Sequence, residues 1–228
     1  MGFETSRQLA QQGITVLMAS RSGARGQAAA ITLRDEGLNA QFIQLDVTKP
    51  EQIRKAASEI KKPYGKLDIL VNNTGTSFDE DRSGNSTETV SARALRKTFD
   101  VNFFGLVELT QKLLPLIKKI DTGRIVNVAS IMGSLTIHSG EGGMPYKPFA
   151  YDASKAGVNP FAIHLAAALR GTNVKGNSAH PGWVKTDMGG PGAPLSPEEG
   201  ARSAVRLATL GANGPAGKFF HGEGELPW

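Results

Sequence analysis

An α/β fold built on one doubly wound, mostly parallel sheet is predicted by three observations. Short apolar runs alternate with amphipathic stretches of ten or more residues, which is the pattern of strand–helix–strand crossovers. The runs, "ITVLMA", "AQFIQLDV", "LDILVNN" and "GRIVNVAS" among them, are apolar on both strand faces, as required when helices cover both sides of a sheet. Polar and backbone-permissive residues fall just after these runs, at the strand ends where such sheets bind ligands. The 228 residues suit one domain, residues 1–228.

The elements follow in order. Phe3, Leu9 and Ala10 share one helical face in the opening segment, and Gly13 ends it. A strand at 14–19 comes next, then a helix near 23–36 closed by Gly37. A strand at 40–47 leads to a helix over 50–62, with Pro50 suited to its first turn. After a strand at 67–73, the Gly/Ser/Asp-rich stretch 76–88 is a loop. Leu95, Phe99, Leu106, Leu109, Leu113 and Ile117 recur at helical spacing and predict one long helix over 91–119. A strand at 123–130 precedes a loop at 131–149, in which "SGEGGMPYKP" holds five glycines or prolines. An Ala-rich helix spans 149–170, and a strand opens the segment 173–182. A lid over 184–197 follows, with Gly189, Gly190 and Gly192 as its flexible points. A helix at 198–210 and a short strand at 217–221 finish the chain.

Composition excludes several classes of function. There is no cysteine, hence no disulfide or thiolate chemistry. No apolar run of about 18 residues exists, so no membrane partner is expected, and without a basic-then-apolar leader the expected location is cytoplasmic. The net charge is +5, but the basic residues are scattered, paired only as in Lys61-Lys62 and Lys118-Lys119. No nucleic-acid partner is expected from that pattern. His138, His164, His180 and His221 lack ligand spacing, so no metal is expected.

The chemistry gathers at the strand ends: Ser20-Arg21, Asp46-Val47, Asn72-Asn73-Thr74-Gly75, Ser130 and His180-Pro181-Gly182. In "YDASK", Tyr151 and Lys155 stand four apart and share a helix face. An ammonium ion close to a phenol favours the phenolate and makes it a usable general acid or base at neutral pH.

Taken together, "NNTG", "DVNFFG", "RIVNVAS", "YDASKAG" and "HPGWVKTDM", in this order, resemble the short-chain dehydrogenase/reductase family, and most of all its carbonyl-reductase branch. The resemblance covers essentially the whole chain. It implies a Rossmann-like fold and NADP(H)-dependent interconversion of a small-molecule carbonyl and its alcohol, with a homo-oligomer possible. Tyr151 would protonate the carbonyl oxygen, and Ser130 would hydrogen-bond it. Lys155 would lower the phenol pKa and bind the nicotinamide ribose. Asn102 would hold a water linking Lys155 to solvent. Asp46 and Val47 would lie near the adenine, and Asn73, Thr74 and Gly75 behind the adenosine ribose. Pro181, Gly182, Val184 and Thr186 would wall the nicotinamide.

Other roles stay open for some of these residues. Ser130 could cap a turn, Asn102 could satisfy a kinked helix, and Asp46 could cap the helix starting near Pro50. Arg21, Ser20 and Arg25 occupy the place where an acidic residue would select NAD, and favour NADP over it.

The family opens with a strand and a TGxxxGxG turn, and Gly2 aligns with the last glycine of that turn. The expectation is that about 15 residues, a strand and a turn, precede Met1 in the natural protein. As given, the chain is expected to expose two strand edges at the middle of its sheet. A catalytically impaired nucleotide-binding or scaffold protein is the alternative function.

Overall fold

The computed structural model describes residues 1–79, 85–140, 144 and 147–228. Helix α1 (Gly2–Gln11) leads to β1 (Val16–Ser20), α2 (Gly23–Asp35), β2 (Ala40–Gln44), α3 (Pro50–Tyr64) and β3 (Ile69–Asn72). Local chemistry accounts for the boundaries. Ser22 caps α2 by accepting the Arg25 amide at 3.3 Å, and Gly65, at φ 69°, ends α3 in the left-handed conformation that glycine tolerates best.

The long helix expected over 91–119 is instead α4 (Ala92–Phe99), a π-helical turn (Asp100–Phe104) and α5 (Gly105–Ile117). The apolar spacing runs through the turn, which is why periodicity does not reveal it. β4 (Arg124–Val128) follows. The expected loop at 131–149 is corrected in part: it holds a 3-10 turn (Ile131–Gly133) and a short helix α6 (Leu135–Ser139), whereas 141–143, 145 and 146 lie outside the described residues. Then come α7 (Phe149–Ala168), β5 (Lys175–Ala179), α8 (Pro197–Ala208), β6 (Phe219–His221) and β7 (Gly224–Glu225). β7 pairs antiparallel with β6 and has no sequence signal of its own.

β3, β4, β5 and β6 form a parallel sheet extended by β7, and β1 and β2 form a separate parallel pair. Helices cover both faces. Ile53, Leu113 and Leu165 from α3, α5 and α7 pack with Ile125 on one side. Leu9 and Leu207 from α1 and α8 pack with Val126 and Val128 on the other. Adjacent residues of β4 thus serve opposite cores, as alternation along a strand requires. Each such fully buried branched side chain contributes about 1.5–3 kcal/mol.

The two expected strand edges are present, because β1 and β3 do not pair. A cavity of about 1160 Å³ runs between them, bordered by Leu17, Met18, Ile69 and Val71 of the two strands. It crosses the sheet from Phe3 and Leu9 of α1 to Ile60 and Leu113 of α3 and α5. Unpaired parallel edges with apolar walls are a template for another strand.

Candidate active site

Tyr151 is the third residue of α7, and Lys155 comes one turn later. Lys155 is 2% exposed. Its ammonium donates to the Val128 carbonyl at 2.7 Å and to that of Thr74 at 3.4 Å. Both partners are neutral oxygens at the carboxyl ends of β4 and β3, so the charge has no counter-ion among them. Burial lowers its pKa to about 8, which leaves it charged at neutral pH. The nitrogen lies 5.9 Å from the centre of the Tyr151 ring. A Cβ at Gly75 would stand 3.5 Å from Nζ, so the loop after β3 passes directly beside the ammonium.

Ser130, two residues past the end of β4, is in extended backbone and buried. Its Oγ accepts the Met132 amide at 3.2 Å and caps the 3-10 turn. The hydroxyl keeps its own proton to donate, so the turn and the site roles are compatible. Asn102 lies in the π-helical turn, fully buried. Its amide does not satisfy the helix backbone. Nδ2 donates to the Thr76 carbonyl at 2.8 Å and to Ser154 Oγ at 2.9 Å, and Oδ1 accepts the Thr76 amide at 2.8 Å. Asn102 therefore braces the loop after β3, with one lone pair left for a donor such as water.

Most of the remaining candidates form two groups, and Arg21 and Asp46 stand apart from both. Gly2, Ser20, Val47, Asn73 and Thr74 border the cavity between β1 and β3, and so does Arg25. Gly2 meets Asn73 closely, since a Cβ there would lie 2.7 Å from Asn73 Nδ2. Pro181, Gly182, Val184 and Thr186 follow β5. Gly182 takes φ +84°, open to glycine and costly for other residues. Arg21 and Asp46 stand outside the cavity lining. The Arg21 side chain is exposed. Asp46 does not cap α3, whose N-cap is Lys49; its Oδ1 instead accepts the Thr48 amide at 3.0 Å and the Thr48 hydroxyl at 2.8 Å.

Residues 184–197, where a lid is expected, form a fastened turn in this structure. Val184 bridges Leu195, and the Lys185 amide donates to the Leu195 carbonyl at 2.9 Å. The Trp183 indole donates to the Gly189 carbonyl at 2.8 Å. Gly189 is required by packing, because a Cβ would strike the Val184 carbonyl.

Several residues around the site have structural roles that the motifs do not assign. Asn72 points into the core and donates to Thr110 Oγ1 and Asn127 Oδ1, both at 2.9 Å, tying β3 to α5 and β4. The C-terminal tail folds back, with Trp228 stacked on Phe219 at 5.6 Å. The Ser134 hydroxyl donates to the Pro227 carbonyl at 2.9 Å, which steadies the segment after Ser130. Beside Tyr151, the Asp152 carboxyl is raised to about 8, first by burial and then by the charge of Asp79. Among the described residues no group of three or more His, Asp or Glu could hold a metal ion, and no helix is long and apolar enough to cross a membrane.

The family model described as short chain dehydrogenase matches residues 1–193. Carbonyl reductase [NADPH] 1 of Mus musculus is 35% identical over 271 aligned residues, covering 100% of this chain and 94% of its own length. Short-chain dehydrogenase/reductase 1 of Saponaria officinalis is 33% identical, covering 96% of this chain and 90% of its own. Among solved structures, salutaridine reductase from Papaver somniferum superposes with a TM-score of 0.84 at 28% identity, over 96% of this chain and 95% of that one.

Proposed function

Because the chain belongs to the short-chain dehydrogenase family, we propose that it is an NADPH-dependent oxidoreductase that reduces an aldehyde or ketone to its alcohol, or runs the reverse. The observation that carries this reading is the buried Lys155 ammonium at the carboxyl ends of β3 and β4, one turn from Tyr151 and beside Gly75. A buried charge with only carbonyl partners is expensive to maintain, and such groups concentrate at functional sites. The Mus musculus relative, similar over the whole of this chain, is named as a carbonyl reductase [NADPH].

The residues fit that cofactor. Gly75 lies beside Lys155 Nζ, the group that would hydrogen-bond the ribose, and Ser20, Arg25, Asn73 and Thr74 border the neighbouring cavity. NADPH, when bound, supplies the hydride. Tyr151 gives its phenolic proton to the substrate oxygen as negative charge develops there. Ser130 donates its free hydroxyl proton to the same oxygen, so two donors converge on the site of charge. Lys155 stabilises the phenolate left behind, and Asn102, by bracing Thr76, holds the β3 loop under the ammonium. Consumption of NADPH with a panel of aldehydes and ketones tests the proposal; no consumption with any of them would contradict it.

Ser20, Arg21 and Arg25 would recognise the 2′-phosphate, which distinguishes NADPH from NADH. Replacing both arginines, Arg21→Ala with Arg25→Ala, should raise KM for NADPH about tenfold or more, as for lost hydrogen bonds to a charged group, and leave KM for NADH unchanged. Equal effects on the two cofactors would refute that role.

One observation favours a second reading, that of an impaired nucleotide-binding protein. The sheet is divided between β1 and β3, and a cavity stands beside the Gly2 end of α1. On this reading the 228-residue chain unfolds without a sharp transition and binds NADPH more weakly than micromolar. Calorimetric titration decides: micromolar affinity with cooperative unfolding removes the second reading.

A further inference from the structure

We propose that Asp79, with Ser86, is a positioning device for Tyr151: it clamps the first turn of α7 and so fixes where the phenol stands. The inference rests on the assignment of Tyr151 as proton donor given above.

Helix α7 starts after Pro148, which has no side-chain oxygen, so its first amides lack a local cap. They are met from another segment. The Phe149 amide donates to Ser86 Oγ at 2.8 Å, the Ala150 amide to Asp79 Oδ1 at 3.0 Å, and the Tyr151 amide to Asp79 Oδ2 at 3.2 Å. The carboxylate is itself held on both oxygens. Ser86 Oγ donates to Oδ1 at 3.0 Å and Ser77 Oγ to Oδ2 at 2.9 Å. Asp79 is 4% exposed and Ser86 1%. Each carboxylate oxygen thus takes one helix amide and one serine hydroxyl, and turning the group breaks all four bonds together. Bonds to an ionised acceptor are the strong class, and a negative charge suits a helix N-terminus.

The clamp acts where the chemistry needs it. Tyr151 is the last of the three amides held from outside the helix, so a frayed first turn carries the phenol out of position. Lys155, one turn further on, stays anchored to Val128. Loss of the clamp should therefore fall on proton delivery and spare the ribose contact. It is a role for Asp79 and Ser86 that no motif announces.

The test compares Asp79→Asn, Tyr151→Phe and the unaltered chain. In Asp79→Asn, amide exchange at Ala150 and Tyr151 should accelerate while that at Val158 and Ala162 does not. Saturated turnover should fall about 10- to 100-fold, the cost of roughly an ångström of misplacement, with KM for NADPH unmoved. Faster exchange with unchanged kcat would overturn the proposal, since the cap would then be structural only. Unchanged exchange would overturn it as well. If Tyr151→Phe turns over normally, the assignment underneath fails and the inference with it. If Tyr151→Phe is inactive and Asp79→Asn keeps full kcat, the inference alone fails. Should Asp79→Asn not fold, Ser86→Ala removes one helix acceptor and one carboxylate donor. A smaller kcat loss with faster exchange at Phe149 supports the clamp, and unchanged kcat overturns it.

Discussion

Tyr151→Phe is expected to lower kcat for carbonyl reduction about 10²- to 10⁴-fold, the range that a positioned general acid contributes. The substitution removes one oxygen and leaves the ring that packs beside Lys155. NADPH affinity should change little, because the ammonium keeps its carbonyl partners on Val128 and Thr74. Lys155→Met should cost at least as much turnover and, unlike Tyr151→Phe, should also weaken NADPH binding through the lost ribose contact. Steady-state kinetics with direct NADPH titration separates the two. Full turnover in Tyr151→Phe would remove the phenol from the mechanism.

Gly133→Ala should be nearly as damaging, by a different route. The 3-10 turn after Ser130 lies directly on the backbone of α7. A Cβ at Gly133 would stand 2.5 Å from the Lys155 carbonyl carbon and 2.7 Å from the Ala156 nitrogen. Neither is the end of a flexible side chain, so the turn or the helix must move. Asn159, which donates to the Gly133 carbonyl at 2.9 Å, resists that movement. Overpacking of this kind costs about 1–3 kcal/mol, or roughly 2–12 °C in Tm for a chain of this size. Because the displaced pair carries Ser130 on one side and Lys155 on the other, kcat should fall with stability. Thermal unfolding and turnover measured on the same sample check both. A variant with unchanged Tm and kcat would show that the two backbones are less firmly packed than argued.

What could be read from the sequence was what has a short period or a local chemical cause. β4 was legible because Ile125 and Val126 each meet a core. α3 was legible because Pro50 starts it and Gly65 stops it. Tyr151 and Lys155 were legible because four residues make one helical turn. The π-helical turn at Asp100–Phe104 was hidden, since the apolar pattern passes through it unbroken. The glycines of the lid suggested motion, yet Gly189 is there because the Val184 carbonyl leaves no room for a side chain. The clamp on α7 was invisible for a related reason. Asp79 and Ala150 are 71 residues apart, and nothing in a local window marks a capping partner supplied from elsewhere. Asp46 shows the converse: the local capping role open to it is not taken, because its carboxylate is used by Thr48.

The central claim is that Lys155 and Tyr151 form one reaction centre at the rim of β3 and β4. A crystal structure of the chain soaked with NADP⁺ tests it most directly. The account predicts the nicotinamide ribose within hydrogen-bonding distance of Lys155 Nζ, about 3 Å, with Tyr151 Oη and Ser130 Oγ facing the reactive edge of the nicotinamide and the 2′-phosphate beside Ser20 and Arg25. Nucleotide bound elsewhere, with Lys155 still facing only Val128 and Thr74, would contradict it.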